Sequence, residues 1–464
     1  MKKLKLFFYH NLTWVYTLQY ILYSLIIILL VGLVDLGVIP LRQILPDFLF
    51  MEKSLMQTVL TTLAGALLTI TTFTFSTILT VLGAYASNYT PRVVENFLQI
   101  KITTKVLGIF IGGFFYCVAE LLVVKNISYQ YGGIAGTVAI LYSILCIVYF
   151  IFFVQKVIKQ FQGVNLISDV YKDAKISIEK EIKTRKETKE YKPKSYSEIY
   201  SVKSKNSGYL NLIDTDKLNL ILQDYRGLLT INAKIGQFVD SNAPVAMLQT
   251  DDKVDEKLLD KLSDGFVFED SKIVTTDYRY NLTKLVEIAL RAISPSVNDP
   301  NTCIHVIKKL GVLLEKLSSV DEKCVLAKNV DKCEIFYSSY TFEEDLFFMF
   351  GQIIHYASDD ISVISAILDS LTSILYKCTP ANKEALIKLV KHIANKSYPK
   401  LESTYEREEI KKLLKHFLSS AKISEFDEQG KEIDAINFIR GETGDEESAI
   451  NKNQKVNIIE DKEE

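Results

Sequence analysis

Nine small or hydroxyl-bearing residues, Thr58, Thr62, Gly65, Thr69, Thr72, Ser76, Thr80, Gly83 and Ser87, recur at steps of three or four, a spacing that places them on one face of a helix. They sit in an apolar run from Ser54 to Ser87, about 34 residues, where roughly 20 suffice to cross a bilayer. Polar side chains in such a helix face protein or water rather than lipid. Rings of threonine hydroxyls from several subunits could therefore hydrate a path for ions or small solutes without any fixed charge. Thr62, Gly65, Thr69, Thr72, Ser76 and Thr80 are the candidate lining residues, with Asn88 and Arg92 at an inner mouth. The competing reading is packing. Small residues let helices approach closely, and hydroxyls can bond the carbonyls of their own helix.

Two further sets of residues carry chemical potential. Glu120 lies inside a later apolar run, and an intramembrane carboxylate is costly enough to suggest a role, although Lys125 one turn away would allow simple anchoring at the interface. Arg291 precedes, and Asn298 and Asp299 lie within, Ser294-Pro295-Ser296-Val297-Asn298-Asp299-Pro300. Pro295 ends one helix, and Asp299 before Pro300 caps the next. The three side chains could converge on a cytosolic ligand or a neighbouring subunit, or the segment could be just a tight corner.

Signals for catalysis are missing. The chain has no Gly-Lys-Ser/Thr phosphate loop, no Gly-x-Ser-x-Gly elbow and no His-Glu-x-x-His helix, so no catalytic, metal or cofactor residue is expected. His10, His305, His355, His392 and His416 stand apart, and the cysteines lack paired spacing, which argues against a zinc module or a disulfide framework. A net charge of −2 gives no footprint for nucleic acid.

The elements that must position these residues follow from hydropathy. Four apolar segments, Trp14 to Val34, Leu55 to Ala86, Val106 to Val124 and Ile134 to Val154, are each of spanning length. Lys2, Lys3 and Lys5 precede the first, Arg92, Lys101 and Lys105 separate the second from the third, and Lys156 and Lys159 follow the fourth. The positive-inside rule then puts both termini in the cytosol.

Five regions are expected: a four-span membrane domain (1–156), a helical stalk and charged linker (157–206), a small β-rich unit (207–254), a helical cytosolic domain (255–424) and an acidic, disordered tail (425–464). The stalk rests on Val157, Phe161, Val164, Ile167, Tyr171, Ala174 and Ile178, which keep helical period. Short apolar runs at Tyr209 to Ile213, Leu228 to Ile231, Phe238 to Val239 and Val245 to Leu248 read as strands, with a helix at Lys217 to Tyr225. Their glycine and proline punctuation resembles biotinyl- and lipoyl-type sandwiches, without the modifiable lysine. Beyond Asp255, Asn281, Thr341 with Glu344, Thr379-Pro380 and Ser403 with Glu406 read as helix starts. Asp359-Asp360 also falls at a helix start, where carboxylates cap and complement the dipole. The fold class is thus an α-helical membrane domain plus a cytosolic α+β domain.

The string Leu285-Val286-Glu287-Ile288-Ala289-Leu290-Arg291-Ala292-Ile293-Ser294-Pro295-Ser296-Val297-Asn298-Asp299-Pro300 closely resembles a bacterial family of predicted membrane proteins known as domain of unknown function 2254. Thr72-Phe73-Thr74-Phe75-Ser76, Ser87 to Arg92, Gly108 to Cys117 and Phe350-Gly351-Gln352-Ile353 resemble it too. The resemblance implies an integral membrane protein with a cytosolic domain, here in the bacterial inner membrane, and carries no activity to transfer. Joined to the hydroxyl stripe, it leads to two expectations. One is a homo-oligomeric channel in contact with membrane lipid and assembled or gated by its soluble part. The other is a membrane-anchored scaffold or sensor that recruits a partner through its cytosolic surface.

Overall fold

A computed structural model describes residues 12–36, 38–88, 90, 92, 101–126, 132–160, 163–186, 196–272, 277–321, 325–329 and 332–421. The lysines before the first span, Phe161, Pro193 and the acidic tail lie outside the described residues. The chain divides into two compact units, Met1–Leu166 and Ile167–Glu464.

The first unit contains α1 (Leu12–Asp35), α2 (Lys53–Asn88), α3 (Lys101–Asn126) and α4 (Ala135–Gln160). All four contain stretches long and apolar enough to cross a membrane, Val15–Asp35, Lys53–Ala84, Lys105–Val124 and Ala135–Lys159, in agreement with the hydropathy of the sequence. α3 is the central helix, with 50% of its span buried against 11%, 22% and 17% for α1, α2 and α4.

Glycines explain that position. A β-carbon at Gly108 would lie 2.8 Å from the Tyr20 ring and 3.3 Å from the Tyr16 carbonyl; one at Gly112 would lie 3.0 Å from the Tyr20 carbonyl. Spaced four apart, the two let the backbone of α1 press against α3. Tyr142 of α4 donates to the Ile109 carbonyl at 3.0 Å, so a buried hydroxyl finds a partner where hydrocarbon offers none. At one end of the bundle, Met51 and Gly133 exchange backbone hydrogen bonds of 2.8 and 2.9 Å. There Asp35 accepts from the Ile134 N–H at 2.8 Å, on the residue before α4.

The second unit takes in most of α5 (Gly163–Lys186). Its buried stripe is Ile167, Val170, Ala174, Ile178 and Arg185, with Val170 inward and Tyr171 half-buried. A five-stranded sheet follows the order β1 (Glu198–Lys203), β5 (Pro244–Thr250), β3 (Gly227–Ile231), β8 (Cys333–Tyr337), β7 (Val325–Asn329). A three-stranded sheet runs β4 (Phe238–Val239), β2 (Gly208–Ile213), β6 (Phe266–Glu269). Pairing is antiparallel except between β3 and β8, where Leu229 faces Ile335 in parallel register.

Both sheets and the short helices α6 (Thr215–Leu222) and α7 (Glu256–Ser263) share one core built on Val202, Leu210, Leu222, Leu248, Leu262 and Ile335. The remaining helices are α8 (Tyr278–Ala292), α9 (Pro300–Leu317), α10 (Phe342–Tyr356), α11 (Ile361–Leu375), α12 (Pro380–Ser397) and α13 (Thr404–Ser420).

Most helix starts match the sequence. Thr341 and Glu344 form a reciprocal capping box, Thr379 caps α12 ahead of Pro380, and Asp360 caps α11. Two differ. α8 begins at Tyr278, capped by Asp277, so Asn281 lies one turn inside it, where its amide donates to Ser177 Oγ at 3.0 Å. Ser403 sits at the start of α13 without a side-chain capping bond. Four strands, β1, β6, β7 and β8, fall where the sequence reads as charged linker or helices. In β1 just one of six residues, Val202, is fully buried, and an edge strand so polar shows no apolar alternation.

Candidate functional site

The hydroxyl stripe of α2 points away from the protein's own helices. Met56, Leu60, Ala64, Leu67, Thr74, Ile78 and Val81 are the buried residues of α2, whereas Thr58, Thr62, Gly65, Thr69, Thr72, Ser76, Thr80, Gly83 and Ser87 are all exposed. At 100° per residue the two sets lie roughly 180° apart. Gly65 and Gly83 have no atom within 4 Å of where a β-carbon would stand. Close helix packing in this unit runs instead through residues such as Gly108, Gly112 and Gly113 of α3 and Gly136 of α4.

Hydrogen bonding defines what the stripe presents. Thr58, Thr69, Thr72 and Thr80 each donate to the carbonyl four residues earlier, at 2.9, 2.9, 3.0 and 3.0 Å. With the donor spent on its own helix, each hydroxyl turns oxygen lone pairs outward. The result is a row of weak acceptors interleaved with methyl groups and glycine backbone. Arg92 is exposed and its N–H donates to Thr90 Oγ1 at 3.1 Å; Asn88 ends α2, its side chain outside the described residues.

Glu120 of α3 is fully buried, and neither carboxyl oxygen has a hydrogen-bond partner. It does not reach the surface to anchor α3, and the Lys125 side chain lies outside the described residues. The α8 to α9 corner brings Asn298 into a left-handed conformation, φ 49°, while its N–H bonds the Ser294 carbonyl at 2.9 Å. Asp299 is occupied at the start of α9, accepting from the Thr302 N–H at 3.1 Å and Oγ1 at 2.6 Å, bonds that hold its carboxyl below the ordinary range. Asn298 and Asp299 are thus each held by partners within the corner itself. Asn298→Gly is expected to leave the thermal midpoint unchanged, and Asn298→Ala to cost about 1 kcal/mol, because a β-carbon is disfavoured at positive φ.

The second unit holds a polar centre that sequence reading missed. Asp345 is fully buried. It accepts from Arg279 Nε at 2.6 Å and from the Tyr278 hydroxyl at 2.8 Å, with Arg185 Nη2 at 3.9 Å. Arg185 in turn bonds Glu181 at 2.9 Å, Ser339 Oγ at 3.1 Å and the Tyr340 carbonyl at 3.0 Å. The Arg279 guanidinium lies 3.4 Å over the Tyr340 ring. Burial and the Asp345 carboxylate hold the Tyr278 hydroxyl far above the ordinary phenol range, so it stays a donor. One legible signal existed: Arg185 falls seven residues after Ile178 on the apolar stripe of α5.

Beside this centre opens a cleft of about 170 Å³. Ser177, Lys180, Glu181 and Thr184 of α5 form one wall, with Asp277 and Ser339 among the residues opposite. Asp277 is 4% exposed. Its Oδ1 accepts the Arg279 N–H at 2.8 Å, but Oδ2 has no hydrogen-bond donor, and Lys272 Nζ stands off at 3.9 Å. Burial outweighs that lysine and pushes the Asp277 carboxyl up to about 6.

The native state therefore holds this proton more tightly than the unfolded chain. Stability falls as pH rises from about 4 to about 6 and stays lower above that. Asp277→Asn keeps a capping oxygen and removes the titration. Thermal unfolding should find the variant more stable at pH 7 by roughly 3 kcal/mol, with the parent's extra loss of stability across that window gone.

Four apolar helices of spanning length beside a separate unit of helices and two small sheets define a membrane protein with several apolar helices. The chain belongs to the family described as "Predicted membrane protein (DUF2254)", which matches residues 10–373. It is similar to uncharacterised proteins of Mycobacterium bovis and Mycobacterium tuberculosis, each 23% identical over 357 residues that cover 71% of this chain and 65% of the relative. The chain thus spans less than two thirds of the length of those relatives. No solved structure matches it.

Proposed function

We propose that the protein is a homo-oligomeric channel or pore of the bacterial inner membrane, in which α2 helices from several copies line the path with Thr62, Gly65, Thr69, Thr72, Ser76 and Thr80. The observation that carries this reading is the position of the stripe, opposite the packed face of α2 and unused within the chain. Outward hydroxyl oxygens suit hydrated cations and small neutral solutes better than anions. The lysine-rich loops support cytosolic termini and a cytosolic second unit, with its paired sheets as a sandwich-like unit. That unit assembles the subunits and gates the path.

Purified protein in liposomes is expected to pass small cations. Thr69→Trp, Thr72→Trp and Ser76→Trp should each cut the flux at least about tenfold, while Phe75→Trp, about 100° from the centre of the stripe, leaves it unchanged. A folded protein that passes neither ions nor small solutes, or variants that conduct like the parent, would contradict the pore.

A scaffold role is the second reading. It draws on the α8 to α9 corner, where Val297 is 43% exposed beside exposed Asn298. Val297→Asp should then abolish partner capture in cross-linked membranes without altering the fold, and an unchanged interaction profile would remove the motive.

A further inference from the structure

We infer that the five-stranded sheet continues from one copy of the chain into the next, the β1 edge of each copy pairing antiparallel with the β7 edge of its neighbour. The inference rests on the homo-oligomeric reading above, and not on what passes along α2.

Strand directions make the two edges complementary. β1 is antiparallel to β5, β5 to β3 and β7 to β8, whereas β3 and β8 are parallel. β1 and β7 therefore run in opposite directions at the two ends of the sheet, and among the described residues neither has a strand on its outer side. A second copy in the same orientation brings its β1 antiparallel to the β7 of the first, and repetition of one head-to-tail contact closes a ring. Pairing of β1 with β1 would stop at two copies. The other sheet ends in β4, with two residues, and β6, with four. Edges so short template a partner poorly, whereas β1 has six residues and β7 five.

Register and charge select the pairing. Ser201, Met247, Thr230, Phe336 and Leu326 stand opposite one another across the five strands and so share a face. Ile199 lies on that face with Ser201 and is 64% exposed. Glu198 and Tyr200 belong to the other face, as do Val325 and Lys328, which pair with Tyr337 and Ile335. Ala327 falls at the register shift between Leu326 and Lys328. Setting Glu198 across from Lys328 puts Ile199 across from Leu326 and Tyr200 across from Val325. Every pair then matches in face, with opposite charges in the first and apolar contact in the other two. The Lys203 carbonyl is taken by Ser263 Oγ at 2.7 Å, beyond the paired stretch. Such strand addition covers an exposed edge that would otherwise invite wrong partners.

The full chain in detergent, with Cys324 and Cys378 replaced by serine, is oxidised as the double variant Glu198→Cys with Lys328→Cys. Within one copy the two positions lie about 19 Å apart, four strand spacings, too far for a disulfide. A ladder of covalent multimers beyond the dimer is expected on non-reducing gels, at least about tenfold more abundant than in either single variant. Adding Ile199→Lys to the double variant, with unchanged circular dichroism, should cut that yield at least about fivefold, because an edge lysine opposes pairing. A single-chain band alone, equal cross-linking by a single variant, or an undiminished yield with Ile199→Lys would overturn the inference. The gels register assembly and the liposomes register flux. A ladder from a protein that passes nothing would therefore refute the pore alone, and a conducting protein without the ladder would refute the pairing alone.

Discussion

Asp345→Ala is expected to cost about 3 to 5 kcal/mol, the largest loss of any single change in the second unit, because it leaves buried guanidinium charge without its counter-ion. Asp345 is fully buried and receives Arg279 at 2.6 Å and Tyr278 at 2.8 Å, and Arg185 stands 3.9 Å away. The cost would come from what stays behind. Arg279 keeps its place over Tyr340 with nothing to neutralise it, and Tyr278 loses its acceptor. Thermal unfolding of the full chain in detergent should show a midpoint lowered by at least about 6 °C. Pairing Asp345→Leu with Arg279→Met should recover part of the loss, since one of the stranded charges goes with its partner. A midpoint within about 2 °C of the parent would mean that the network does not hold α5 to its neighbours.

In the membrane unit, Gly112→Leu should prevent folding where Gly65→Leu does not. A β-carbon at Gly112 would meet Ser24 Oγ at 2.7 Å, the Tyr142 hydroxyl at 2.9 Å and the Tyr20 carbonyl at 3.0 Å. Tyr142 is tied to the Ile109 carbonyl, and a carbonyl of α1 moves only with the whole helix. Overpacking against such neighbours costs roughly 1 to 3 kcal/mol for side chains that can shift, and more here, where backbone must give. Size-exclusion chromatography in detergent should find Gly112→Leu aggregated or absent. Gly65→Leu, with nothing within 4 Å, should elute as folded protein while losing flux. Normal elution of Gly112→Leu would show that α1 and α3 do not pack through Gly112.

The comparison between these glycines marks what the sequence could and could not convey. Spanning helices were legible because hydropathy is summed over about 20 residues and tolerates local noise. The period of Thr62, Thr69, Thr72 and Ser76 was legible as well, but a period fixes a face without saying what covers it. Gly108 and Gly112 carry the close packing that the stripe could equally have carried.

In the second unit, the capping box at Thr341 and Glu344 is local chemistry and reads directly. The start of α8 does not, because Tyr278, Arg279 and Tyr280 look like surface residues until Asp345, more than 60 positions later, closes over them. Asp277 was hidden for the same reason. Its burial depends on Gly236 and Lys272, brought together by tertiary structure alone. Strands β7 and β8 pair antiparallel with each other but escaped because the connecting Val330-Asp331-Lys332 has no glycine or proline to mark a turn, and the parallel contact of β8 with β3 is long-range.

A cysteine placed at Thr72 tests the pore most directly, in the full chain reconstituted in liposomes with Cys324 and Cys378 replaced by serine and the buried Cys117, Cys146, Cys303 and Cys333 left in place. A charged, membrane-impermeant thiol reagent should modify Thr72→Cys and block flux, with Thr69→Cys and Ser76→Cys behaving alike and Phe75→Cys unreactive. Failure of the reagent to reach position 72, with labelling confined to lipid-soluble reagents, would place the stripe against lipid or another helix and contradict the pore.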